Sequence, residues 1–341
     1  MSLPILIFRV DAGKASGLSF GHFYRCLALK RELNNFFECR FLMTGYPEGI
    51  AVARSEGLVV VVLLPESSDE VVLSYCERAT VVVFDVPTPS VPLIDRLASR
   101  GIATVVLDDT GNKCLSPTVL INGSLGEEQR NYQQDTSPRY WLLGPEYCVM
   151  GEEFDVVPTR SIINNPSSLT IFMGGSDPTG MTLKTVNALL SGNCDLSLKV
   201  VLGSGFGDTS VIENVLIAYR GSYSVVKSPA SVAQLLAESD LAILAGGRTA
   251  YEAAALGVPA ILLPSIEHEE ETACAFDKAG IHRCLHLAWK LTPETLNSEL
   301  NRAVVEMMGK PNKLEQMSVR GKDLFDGGGR RRVAKVISES Y

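Results

Sequence analysis

The chain has 341 residues, of which 46% are apolar and 21% charged, and a net charge of −8. That is long enough for two hydrophobic cores. The acidic balance argues against general affinity for nucleic acid or for anionic membrane surfaces, leaving only a local basic pocket open. No apolar run approaches the length of a membrane helix, and the N-terminus has no signal-peptide pattern, so a cytoplasmic protein without stable membrane insertion is expected. The eight cysteines, Cys26, Cys39, Cys76, Cys114, Cys148, Cys194, Cys274 and Cys284, form no C-x-x-C pair and no linear zinc-ligand spacing. They read as buried thiols in a reducing compartment, with no metal site and no cofactor expected.

In chain order, Ile5–Val10 reads as a buried strand, and a helix follows from about His22 to Leu33. Further strands are expected at Phe41–Met43, Leu58–Leu64, Ala79–Phe84, Ala103–Leu107 and Val119–Ile121, with helices at Glu70–Arg78 and Ile94–Arg100. Gln129–Pro138 is polar and without periodicity, and the Pro/Asn/Ser-rich stretch Val156–Ser168 reads as a linker. The alternation then restarts. Strands are expected at Leu169–Met173, Leu198–Leu202, Ser224–Val226, Leu241–Leu244 and Ala260–Leu263. Helices are expected at Leu183–Leu190, Val211–Tyr219, Val232–Ser239, Thr249–Leu256, Glu269–Ala279, Pro293–Met308, Leu314–Leu324 and Arg331–Ser338. Continuous apolar strands alternating with helices predict two parallel α/β sheets, with Rossmann-like domains at residues 1–157 and 158–325 and a terminal helix at 326–341. Two such halves facing each other would take a ligand in the cleft between them.

Three expected strand ends in the second half carry glycine-rich turns, 174–177, 203–207 and 245–249. In a parallel sheet they share one edge. Glycine allows close backbone approach, and each following helix offers free N–H groups to an anion. With hydroxyls at Ser176, Ser204 and Thr249, the set points to a phosphate-bearing ligand. Arg248 is suited to pairing with a diphosphate. Glu252 reads either as an acceptor for ribose hydroxyls or as a capping-box carboxylate.

In the first half, no G-x-G-x-x-G fingerprint follows the opening strand, and no G-x-S-x-G elbow occurs anywhere. Asp108-Asp109 reads as a polar strand end, with a metal-binding aspartate pair the minority reading, and His268 to Glu271 as a charged helix start suited to the dipole, with metal ligation the less common explanation. His282 and His286 read as structural. His22 stands apart, because it opens a helix directly after a flexible turn. A helix N-terminus disfavours the imidazolium, and a neutral imidazole can act as general base.

These residues resemble a known family. Arg9-Val10-Asp11 followed by Gly21-His22-Phe23-Tyr24-Arg25 is similar to the R-x-D…G-x-G-H-x-x-R opening of the PseG-like UDP-sugar hydrolases, which act on a UDP-2,4-diacetamido-2,4,6-trideoxy-β-L-altropyranose in pseudaminic acid biosynthesis. Spore-coat polysaccharide proteins are related, and MurG-type glycosyltransferases more distantly so. Val83-Phe84-Asp85, Leu107-Asp108-Asp109, Leu143-Gly144-Pro145-Glu146-Tyr147 with Glu153-Phe154, Met173-Gly174-Gly175-Ser176-Asp177, Ala245-Gly246-Gly247-Arg248-Thr249 with Glu252, and Asp326-Gly327-Gly328-Gly329 with Arg332-Val333 extend the resemblance along nearly the whole chain.

The resemblance implies a metal-independent GT-B fold whose C-terminal domain holds UDP and whose last helix packs back toward the N-terminal domain. It implies His22 as the base that activates water at the anomeric carbon, with inversion and loss of UDP, and Asp11 as an acid near the sugar. Gly21, Arg25, Asp85, His268 and Glu269 fall on the substrate side. Gly174, Gly175, Ser176, Gly203, Gly246, Gly247, Arg248, Thr249 and Glu252 fall around the nucleotide. His268-Glu269 stands where the family has Asn-Gln, and Arg248 replaces a small residue, so the sugar is left open. The expected function is hydrolysis of a UDP-deoxyamino sugar for surface polysaccharide or nonulosonic acid, by a monomer or weak dimer. The alternatives are an inverting glycosyltransferase and a non-catalytic nucleotide-sugar binding protein. The absence of an evident basic-apolar surface helix favours hydrolysis.

Overall fold

The computed structural model describes residues 2–13, 20–109, 111, 115–126, 132, 138–156, 165–192, 196–203, 205–229 and 231–340. Residues 14–19 of the first turn, most of the polar 129–137 stretch, the linker core 157–164 and Ser204 lie outside them.

The elements run β1 (Ile5–Val10), α1 (Phe20–Leu33), β2 (Glu38–Thr44), α2 (Pro47–Ser55), β3 (Val60–Leu63), α3 (Asp69–Cys76), β4 (Val81–Asp85), α4 (Val91–Ser99), β5 (Ala103–Leu107), β6 (Val119–Asn122) and β7 (Tyr140–Leu143). They continue α5 (Glu153–Val156), β8 (Ser168–Phe172), α6 (Met181–Leu190), β9 (Ser197–Leu202), α7 (Ser210–Leu216), β10 (Tyr223–Lys227), α8 (Val232–Ala237) and β11 (Leu241–Leu244). The last are α9 (Arg248–Ala255), β12 (Ala260–Leu262), α10 (Glu267–Lys278), β13 (Arg283–Cys284), α11 (Pro293–Met308), α12 (Pro311–Leu324) and α13 (Gly329–Glu339). The strand pairings are parallel throughout. The chain divides into two compact units, residues 1–152 with 327–341, and residues 153–326.

The first unit holds a seven-stranded sheet of order β3-β2-β1-β4-β5-β6-β7. Its strands are apolar throughout because both faces are covered. On β1, Leu6, Phe8 and Val10 face the core beneath α1 and α13, while Ile7 faces the core beneath α3 and α4. Phe8 stacks on Phe41 with ring centroids 5.0 Å apart, and Phe23 of α1 closes over Phe41 at 6.0 Å. This packing fixes α1 on the sheet. From α13, Val333, Ala334 and Ile337 join the same core, and Arg330 pairs with Glu32 of α1 at 2.7 Å.

The second unit holds a six-stranded sheet of order β10-β9-β8-β11-β12-β13. In both sheets the order reverses beside the first strand of the unit, at β1/β4 and at β8/β11. That switch point, at the carboxyl ends of the strands, is where open α/β sheets bind ligands.

Candidate active site

In the first unit, the chain turns at the carboxyl ends of β1, β4 and β5 gather charged residues. Val10 pairs in register with Asp85, so Asp11, Asp85 and, past Leu107, Asp109 stand along one edge. Helix α1 starts above this edge. His22 and Arg25, three residues apart, lie on one face of its first turns.

The four side chains form one network. The His22 Nδ1 lies 2.7 Å from Asp85 Oδ1. The Arg25 Nε donates to Asp85 Oδ2 at 2.7 Å, and its Nη2 donates to Asp85 Oδ1. The other edge of the same guanidinium donates to Asp109 from Nη1 at 2.7 Å and from Nη2 at 2.9 Å. The side chain of Asp85 is 0% exposed and that of Arg25 7%, whereas those of His22 and Asp109 are 19% and 36% exposed. The network is therefore a buried base with a reachable tip. Burial alone would push the Asp85 and Asp109 carboxyls up, but the Arg25 guanidinium outweighs it and holds both below the ordinary carboxylate range. Burial opposes the charge on Arg25, yet the two carboxylates keep it firmly protonated.

Chemically, the ionised carboxylate of Asp85 accepts a hydrogen bond from the His22 Nδ1–H and fixes the ring. The lone pair then sits on Nε2, which is the arrangement of an oriented general base. The donor atoms of His22, Asp85 and Asp109 lie within 4.8 Å of one another, a spacing that suits metal ligands, but the Arg25 Nη2 contacts all three and supplies the positive charge there.

Asp85 and Arg25, expected on the substrate side, are both buried and bind each other, and Asp85 also contacts His22. Asp11, expected as an acid near the sugar, turns toward β2. It is held in a two-toothed ion pair by Arg9 at 2.6 and 2.9 Å and accepts the Thr44 backbone N–H at 2.7 Å. The described contacts tie it to that strand pair and not to His22. Gly21 sits in the first turn of α1, one residue before His22.

In the second unit, all three glycine turns lie on the carboxyl edge of the sheet, after β8, β9 and β11. Gly174 has φ +84, a left-handed conformation that suits glycine. Asp177 closes this turn by capping α6: its two oxygens accept the N–H groups of Met181 and Thr182, both at 2.8 Å. Gly175 and Ser176 are left exposed at the turn. A Cβ on Gly203 would fall 2.3 Å from the Gly175 carbonyl, and the Gly205 N–H donates to that carbonyl at 2.9 Å. The first two turns are thus stitched together.

The third turn leads into α9. Its N-cap is Gly247, and no side chain caps the helix there, so the first N–H groups can meet an anion. Arg248 and Thr249 are its first two helical residues. Glu252 lies in the second turn, too far along for a capping box with Gly247, which removes that reading of it. Burial raises the Glu252 carboxyl, while Arg248 pulls it down.

His268 and Glu269 open α10 beside this turn. His268 is exposed. Glu269 is engaged locally: its Oε2 accepts from the Ser265 backbone N–H and from the Ser265 hydroxyl, each at 2.7 Å. A Cβ on Gly246 would fall 2.4 Å from the Glu269 carbonyl, so the start of α10 packs directly on the turn. His282, read as structural, is buried between α9 and β12, donating from Nε2 to the Ala250 carbonyl at 2.9 Å and accepting the Ala260 N–H at Nδ1.

The comparisons with known proteins follow this geometry. A crystal structure of Acinetobacter baumannii MurG superposes with a TM-score of 0.74 at 16% identity, covering 98% of this chain and 100% of that one. The fold is GT-B. Residues 170–325 match the glycosyltransferase family 28 C-terminal domain. Within the GT-B chain this segment spans β8 to the end of α12, and so contains the three glycine turns, Arg248, Thr249 and Glu252, but not His22 or its partners. Along the whole GT-B chain, the spore coat polysaccharide biosynthesis protein SpsG of Bacillus subtilis is 26% identical, with 97% of each chain covered. The UDP-N-acetylglucosamine–N-acetylmuramyl-(pentapeptide) pyrophosphoryl-undecaprenol N-acetylglucosamine transferase of Crocosphaera subtropica is 26% identical over 72% of this chain and 64% of its own.

Proposed function

We propose that the protein is a nucleotide-sugar enzyme of polysaccharide biosynthesis that hydrolyses a UDP-deoxyamino sugar. The observation that carries the reading is the His22–Asp85–Arg25–Asp109 network. It provides one oriented base whose side chain is 19% exposed, held by buried charges at a sheet switch point. The similarity to a spore coat polysaccharide biosynthesis protein and to the family 28 domain supports a nucleotide-sugar substrate.

In this mechanism the diphosphate rests on the first turn of α9 with Arg248, and the nearby exposed Gly175 and Ser176 supply backbone N–H groups. Glu252 takes the ribose hydroxyls. His22 Nε2 removes a proton from water, and the water oxygen attacks the anomeric carbon. The bond from that carbon to the β-phosphate oxygen breaks, UDP leaves with the electron pair, and the sugar is released with inverted configuration. Positive charge from Arg248 and the α9 dipole offset the charge developing on the leaving group. The reading requires both units to act on one substrate.

A transferase reading has its own support. Val59, Val62 and Leu64 along the β3 edge and Val71 and Tyr75 on α3 are large apolar residues exposed in the first unit, as an acceptor with a lipid portion would need. The base would then deprotonate a sugar hydroxyl. Incubation with a panel of UDP-deoxyamino sugars, without acceptor and followed by NMR of the anomeric signals, separates the two. Hydrolysis gives UDP and free sugar of inverted configuration, and both are lost in His22→Ala with UDP binding retained. Turnover only on addition of a sugar or lipid-linked acceptor would overturn the hydrolase reading. Persistent absence of turnover with bound UDP-sugar would mark a binding protein.

A further inference from the structure

A second cluster lies in the second unit, on the α10/β13 side. Linear spacing conceals it, because the four residues come from two separate stretches of chain. Glu270 and Cys274 are four apart on α10 and share a helix face. Cys284 ends β13 and His286 lies two residues on, in the turn that follows, which folds its imidazole back over the cysteine. Packing of α10 against β13 brings the two pairs together.

The donor atoms converge. Cys274 Sγ lies 3.6 Å from Glu270 Oε1 and 3.5 Å from His286 Nδ1. Cys284 Sγ lies 3.7 Å from the same Nδ1, and His286 Nδ1 lies 2.8 Å from Glu270 Oε1. All four atoms are within 4.8 Å of one another. A tetrahedral zinc ion with bonds of about 2.0–2.3 Å places its ligands about 3.3–3.8 Å apart. Three of the measured separations already have that length. The fourth is a hydrogen-bonded pair that opens by about half an ångström when a cation replaces its proton.

We propose that Glu270, Cys274, Cys284 and His286 form a binding site for a thiophilic divalent cation of the zinc class. Two sulfurs, an imidazole and a carboxylate select zinc over magnesium or calcium, which take oxygen. Four protein donors leave no open position, so the site is structural. The second oxygen of Glu270 is held by the Leu287 backbone N–H at 2.9 Å, which aims the first into the cluster. Cys284 is buried while the His286 side chain is 58% exposed, so a cation enters past the imidazole. Binding releases the thiol protons and ties the middle of α10 to β13. The cluster shares no residue with the network around His22, and the inference stands apart from the proposed reaction.

The test uses the full chain, purified under reducing conditions, stripped with a chelator and titrated with Zn²⁺ against a chromophoric competitor. Co²⁺ is titrated in parallel and followed by absorption. The expected result is one metal per chain, with a sulfur-to-cobalt charge-transfer band and intense tetrahedral d–d bands. His286→Ala removes an exposed ligand and should weaken Zn²⁺ roughly tenfold or more. Cys274→Ser should lower the charge-transfer intensity by about half, and the Cys274→Ser/Cys284→Ser double variant should abolish it, with far-UV circular dichroism confirming a folded chain. Absence of bound metal, an octahedral cobalt spectrum without charge transfer, affinity unchanged in His286→Ala, or a stable Cys274–Cys284 disulfide in place of metal would each overturn the proposal.

Discussion

Replacing Asp85 by Asn tests the network around His22 with the smallest change of shape. In the parent, Asp85 accepts from His22 Nδ1 at 2.7 Å, from Arg25 Nε at 2.7 Å and from Arg25 Nη2. An Asn can turn its carbonyl oxygen toward Arg25, but its amide then faces Nδ1 as a donor. The imidazole must accept there, which moves its proton to Nε2 and removes the lone pair that takes the proton from water. Loss of a positioned general base costs about 10²–10⁴-fold in kcat. KM should hold, because the Asp85 side chain has no exposed surface with which to touch substrate. Each hydrogen bond to a charged group contributes about 1.5–3 kcal/mol, and breaking a buried ion pair costs about 3–5 kcal/mol. Asn keeps an acceptor for Arg25 Nε but turns a donor toward Arg25 Nη2, so a loss within this range is expected. The assay is UDP release under saturating substrate, with urea unfolding on the same samples. Parent-like kcat in a folded Asp85→Asn protein would refute the orienting role. A large rise in KM with kcat intact would return Asp85 to the substrate.

Burial raises the Asp85 and Asp109 carboxyls and Arg25 more than reverses it, so their folded values lie below the unfolded value of about 3.9. Their stabilisation is complete above that value and is lost as pH falls below it, so urea stability should drop between about pH 4 and pH 2 and the drop should be shallower in Asp85→Asn. Gly246→Ala places a Cβ 2.4 Å from the Glu269 carbonyl, a backbone atom that can yield only if α10 shifts. It should cost about 1–3 kcal/mol in unfolding and weaken UDP in calorimetry. The ionised form of Glu252 is disfavoured by burial, so Glu252→Gln should raise the melting temperature of the ligand-free protein at pH 7. It should at the same time weaken UDP roughly tenfold if the carboxylate takes the ribose hydroxyls.

The sheets were legible because buried parallel strands are unbroken apolar runs between turn residues: Ile5–Val10 and Leu241–Leu244 are bounded as read. Helix α2 was not, since Pro47–Ser55 mixes Gly, Ala and charged residues with a weak apolar face, and β13 is only two residues long. His22 stood out through its place after a strand and a turn. Its partners did not. Arg25 spans 60 residues to Asp85 and 84 to Asp109, and only the order β1-β4-β5 brings those strand ends together. The signal available was the single arginine one helical turn after the histidine, with one strand ending in aspartate at Asp85 and another followed by Asp108-Asp109. Helix registry also decided Glu252. Reading Thr249 as the helix start allowed a capping box, whereas the helix begins at Arg248 after an uncapped glycine. Glu269, a carboxylate expected at the substrate, has its Oε2 held by Ser265 four residues earlier, while its Oε1 lies beside Gly247.

The central claim is that His22 drives water onto the anomeric carbon. Turnover of a UDP-deoxyamino sugar in ¹⁸O-labelled water tests it most directly. Mass spectrometry should find the label in the freshly released sugar, with none in the β-phosphate of UDP, and no labelled product from His22→Ala. Label in UDP would place the attack at phosphorus, and label-free sugar transferred to an added acceptor would make the protein a transferase; either result contradicts the account.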